Sequence, residues 1–87
     1  MANVDEVKAG LLEGRAYERV VDETGGKELV LPYDETLFVH IVLGVNEDVV
    51  RDEDGSYLSH DLLESGHWHK EVWNRCPARD REVVRWR

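Results

Sequence analysis

Val4, Val7, Leu11 and Leu12 recur at helical spacing near the start of the chain. The pattern predicts a helix over residues 4–13, and Tyr17 and Val20 would extend it toward Val21. Asn3, followed by Glu6, reads as a helix N-cap with its reciprocal acid, and Asp5 and Glu6 suit the positive end of the helix dipole. Gly10 and Gly14 weaken such a helix by about 1 kcal/mol each relative to alanine. Asp22-Glu23-Thr24-Gly25-Gly26 predicts a break, because paired glycines supply positive φ at no steric cost. A short strand over residues 28–31 then ends at Pro32, which lacks an amide donor. Asp34-Glu35-Thr36 makes a turn. Leu37 to Leu43 is rich in β-branched residues and apolar on both faces, which predicts a central or sandwiched strand. Val49-Val50-Arg51 and Tyr57-Leu58 flank a turn at Glu53-Asp54-Gly55-Ser56. Residues 61–64 predict one helical turn stopped by Ser65-Gly66. The stretch from His67 to Trp73 fits an amphipathic turn or an irregular strand. Pro77 interrupts the backbone donors after Cys76, and residues 82–86 read as a final strand-like run. The fold class predicted is α+β: an N-terminal helix packed on a small antiparallel β-meander.

The chain has 87 residues, which bounds it to one domain over residues 1–87 with a small core. Its net charge of −8 argues against recognition of nucleic-acid phosphates, which needs a basic face. The charge is uneven. Residues 1–74 hold seventeen acids and six bases, whereas residues 75–87 carry five arginines against Asp80 and Glu82. A basic tail on an acidic body reads as a docking arm, as a strand folded back on the acidic face, or as solvated surface charge. Cys76 is the only cysteine, so no internal disulfide can form. No secretory signal pattern and no apolar run of bilayer-spanning length occur, which points to the cytoplasm.

Three groups of residues invite a chemical reading. Asp52, Asp54, Gly55 and Asp61 resemble part of a calcium loop, but Val50 would fall at the first ligand position, so a hairpin tip is the simpler reading. His67 and His69 flank Trp68 on one side of an extended strand, and with His60 and Cys76 they could offer zinc three nitrogens and a thiolate, although the spacing matches no common zinc finger. His40, inside the apolar strand, reads as a hydrogen-bonded or interface histidine rather than a base. Ser56, Ser59 and Ser65 lack a nucleophile-elbow pattern, and Gly25-Gly26 and Gly44 lack the lysine of a phosphate loop. No complete catalytic set is present. Trp68, Trp73 and Trp86, with Tyr17, Tyr33 and Tyr57, form a large aromatic set that either fills a small core or anchors an interface. Trp68, Trp73, Arg85, Trp86 and Arg87 are the expected partner-binding residues.

The order of Leu29-Val30-Leu31-Pro32, Leu37-Phe38-Val39 and Val50-Arg51-Asp52-Glu53-Asp54-Gly55 resembles the small (gamma) subunit of the acetone and acetophenone carboxylase family, over about residues 15–60. In the acetone enzymes the last motif has the form Val-Arg-Cys-x-Cys-Gly-His and looks like half of a zinc site. Here Asp52 and Asp54 stand in place of the two cysteines and Ser56 in place of the histidine, so zinc binding in the family's manner is not expected. The resemblance implies a heteromeric enzyme that uses ATP to activate a ketone and bicarbonate. Its larger hydantoinase-like subunits would carry the chemistry, with ATP and Mg confined to them and no cofactor in this chain. This chain would then be a noncatalytic accessory subunit. The rival reading is a stand-alone acidic binding module, of the immunity-protein or inhibitor kind, that masks a basic partner surface. A third is a small metal-dependent enzyme or metal carrier using His60, His67, His69 and Cys76.

Overall fold

A computed structural model describes residues 1–21, 25–46, 55–65 and 68–80. The first helix, α1 (Val4–Leu12), opens at Asn3, whose extended backbone (φ −81°, ψ 175°) stops helical turns from running backward. The Asn3 Oδ1 accepts from the Glu6 amide at 3.0 Å, and the Glu6 carboxylate accepts from the Asn3 amide at 3.4 Å, so the expected reciprocal cap is formed. Val4, Val7 and Leu11 are buried on one stripe. The helix ends at Gly14, which takes φ +86°, a conformation costly for any side chain with a Cβ. The Gly14 amide donates to Leu11 O at 3.1 Å and the Arg15 amide to Gly10 O at 2.9 Å, which caps the last carbonyls.

That stop corrects the expectation that the helix extends to Val21. Residues Tyr17–Val20 instead form a strand, β1. With the chain turned at Gly14, Tyr17 and Arg19 fall on one face and Glu18 and Val20 on the other, a strand's period rather than a helix's. Strand β2 (Lys27–Pro32) pairs antiparallel with β1, Tyr17 opposite Val30 and Arg19 opposite Glu28. Gly25 turns the chain between them at φ +91°. The Asp34 Oδ1 accepts from the Thr36 amide (2.8 Å), the Thr36 hydroxyl (3.1 Å) and the Leu37 amide (2.8 Å), which builds the expected turn into β3 (Leu37–Leu43). Strand β4 (Ser56–Ser59) pairs with β3, and β5 (Asn74–Arg75) returns to the far side of β1. The sheet is antiparallel throughout, in the order β4-β3-β2-β1-β5. A single helical turn, α2 (Leu62–Ser65), and a 3-10 turn at Pro77–Arg79 complete the described elements. The expected α+β architecture, an N-terminal helix on an antiparallel meander, is the one observed. The expected strands at residues 49–51 and 82–86 lie outside the described residues.

The sheet is packed on both faces. Under α1, Val7, Leu11, Tyr17, Val30, Phe38, Leu63, Trp68 and Trp73 make one core. On the opposite face Ala16, Leu29, Leu31, Val39, Ile41 and Leu43 make a second, with Tyr33 and Cys76 against it. Strand β3 lies between β2 and β4 and feeds both cores, Phe38 on the side of α1 and Val39, Ile41 and Leu43 on the other, while Val42 stays exposed. No helix among the described residues is long and apolar enough to cross a membrane.

Candidate functional site

The unusual chemistry lies where a charge is buried near the start of an otherwise apolar strand. Glu28 sits on β2 between Lys27 and Leu29 and is 5% exposed. A buried carboxylate is stable only when its lone pairs are taken by donors. Three elements supply them. Arg19, directly opposite on β1, places its Nε 2.6 Å from Glu28 Oε1. The Nε–H does not point along that contact, so the pair is held by charge more than by a directed hydrogen bond. His40, diagonally placed on β3, brings its Nε2 to 2.8 Å from Oε2. Trp68 donates its indole Nε1 to the same oxygen at 3.1 Å. An ionised carboxylate can only accept, so the His40 hydrogen facing it is carried on Nε2.

A second ring of contacts holds the donors. The Arg19 guanidinium lies over the Trp73 ring at 5.6 Å from its centroid, and its Nη1 is 3.4 Å from a Glu71 carboxylate oxygen. The His40 and Trp68 rings are tilted against each other with centroids 5.0 Å apart, and Phe38 meets Trp68 nearly edge-on at 6.2 Å. Trp73 exchanges backbone hydrogen bonds with Ala2 at 2.7 Å in both directions, which fastens the segment after Trp68 to the N-terminus. The Trp73 Nε1 is buried with no hydrogen-bond partner among the described residues.

Two influences act on the Glu28 proton. Burial pushes its pKa up, whereas the hydrogen bonds from His40 and Trp68 and the charges of Arg19 and His40 pull it down, and the donors prevail. Glu28 is therefore held ionised below the usual carboxylate range. A carboxylate so stabilised is a poor proton acceptor, and its oxygens already serve three partners from its own chain. The arrangement ties β1, β2, β3 and the Trp68–Trp73 segment together.

A smaller clasp stands at the start of β1. The Asp80 carboxylate meets the Arg75 guanidinium through two 2.8 Å contacts, and Asp80 Oδ1 also accepts from the Ala16 amide at 2.8 Å. Arg75 Nη1 donates to Ala16 O at 2.8 Å, and its guanidinium lies 5.3 Å from the Tyr17 ring centroid. The hydrogen bond to Asp80 holds the Arg75 proton more tightly than usual, and the same bond lowers the Asp80 pKa.

Among the described residues, the metal candidates His60, His69 and Cys76 do not converge. His60 is buried, packs its ring toward Phe38 and brings its Nε2 to 3.0 Å from Leu37 O, so that nitrogen carries a hydrogen toward a carbonyl. Cys76 packs against the core on the other face of the sheet. Burial, with Glu18 nearby, pushes its thiol pKa up, away from the thiolate that a metal or an electrophile would need. His69 is exposed, and His67 lies outside the described residues. Among the described residues no three histidine, cysteine or acidic side chains form a metal-holding group. Of the calcium-loop set, Asp52 and Asp54 lie outside the described residues, and Asp61 stands 3.5 Å from Lys8 Nζ.

The partner-facing candidates divide. Trp68 and Trp73 are 6% and 0% exposed and belong to the core under α1. Arg85, Trp86 and Arg87 lie outside the described residues. His40 is hydrogen-bonded, in keeping with the reading of its sequence position. Glu28 and Arg19 were not singled out from the sequence, although one signal was there: His40 breaks the apolar run of β3 and so needs a polar partner on a neighbouring strand. Comparison with known proteins finds no family model, no curated protein and no solved structure that matches this chain.

Proposed function

We propose that this chain is a noncatalytic accessory subunit that works by packing against larger subunits, and that its assembly is a cytoplasmic, ATP-dependent ketone carboxylase of the acetone and acetophenone type. The observation that carries the first part is the closure of the Glu28 cluster: its oxygens are engaged by Arg19, His40 and Trp68 of the same chain. The strongest polar constellation of the described residues thus stabilises the fold instead of facing a substrate. The carboxylase assignment is supported by the resemblance of Leu29-Val30-Leu31-Pro32 and Leu37-Phe38-Val39, segments that fall on the adjacent strands β2 and β3. Trp68 and Trp73 are engaged inside the domain, so the partner contacts are assigned to Arg85, Trp86 and Arg87.

The test is affinity purification of the tagged chain from its native cell, followed by mass spectrometry of what accompanies it. Hydantoinase-like large subunits in fixed proportion are the expected result, and Arg85→Ala combined with Trp86→Ala should deplete them while the far-ultraviolet circular dichroism is retained. A chain that elutes alone overturns the accessory role. Stoichiometric capture of a basic toxin or nuclease instead replaces the carboxylase assignment with that of an inhibitor.

A further inference from the structure

We draw no further inference here: the strongest candidate, the exposed valine patch of Val20, Val21 and Val45 beside the β1–β2 turn, carries nothing because nothing in the structure shows what covers it.

Discussion

Arg19 and Glu28 face each other across β1 and β2, with Nε 2.6 Å from Oε1, on the face of the sheet that carries Tyr17 and Val30 in the core beneath α1. Two opposite charges placed as a directly opposed cross-strand pair also mark the register, because a one-residue slip would send Glu28 to the other face among Leu29 and Leu31. Breaking such a pair from one side strands the other charge, which costs far more than the pair itself contributes.

Glu28→Ala therefore removes the partner of three donors at once. We expect a loss of about 3–5 kcal/mol, read from urea unfolding midpoints. Replacing Arg19 and Glu28 together with methionine should cost less than the two single changes added, since neither charge is then left alone. A Glu28→Ala variant within 0.5 kcal/mol of wild type, a margin of about the size common for surface changes, would show that the cluster contributes little.

The pH dependence follows from the same site. Glu28 and Asp80 both hold their protons less tightly when folded than when unfolded. Their contribution to stability is thus fully present above the unfolded carboxylate values, about 3.9 for Asp and 4.3 for Glu, and is lost as the pH falls below them toward the folded values. Urea midpoints should be level between about pH 5 and 7 as far as these two groups are concerned, and should drop through the acid range. Glu28→Gln should start lower at neutral pH and fall less steeply in acid. An acid slope identical to that of wild type would assign the dependence to other carboxylates.

Gly10 is required by Tyr17. A Cβ built at Gly10 would meet the Tyr17 hydroxyl oxygen and would lie 2.7 Å from both Cε1 and Cζ of that ring. The ring cannot easily retreat, because it is buried beneath α1 with the Arg75 guanidinium near it. Gly10→Ala should gain about 1 kcal/mol of helix propensity and lose more than that to overpacking, for a net destabilisation of about 1–2 kcal/mol. Thermal unfolding of Gly10→Ala beside Gly14→Ala separates packing from backbone: the first suffers from the ring, the second from φ +86°. A more stable Gly10→Ala would mean that the ring yields.

Asn3→Ala should cost about 1 kcal/mol, because it leaves the Glu6 amide without its side-chain acceptor. Asn3→Asp should retain most of the cap, and its carboxylate would favour the helix dipole. Helical circular dichroism and the unfolding midpoint report both, and equal stability of the alanine and aspartate variants would remove the cap from the account.

Features with local causes were legible in the order of residues. Helix α1 is announced by Asn3, Glu6 and the spacing of Val4, Val7 and Leu11, all within about two turns of one another. Strand β3 is announced by a run of seven residues rich in β-branched and apolar side chains, and the turn before it by Asp34, which bonds to residues two and three positions on. The state of Tyr17–Val20 was not legible there, because four residues carry too little periodicity to distinguish a helix's end from a strand, and pairing with β2 settles it. The Glu28 cluster likewise arises only from long-range pairing. Arg19, Glu28, His40 and Trp68 are spread over fifty positions of chain, and the sheet register sets the first three side by side while the return of the chain after α2 lays the indole over them. Local spacing records which residues can share a face, whereas a buried charge finds its partners only when distant segments are brought into contact.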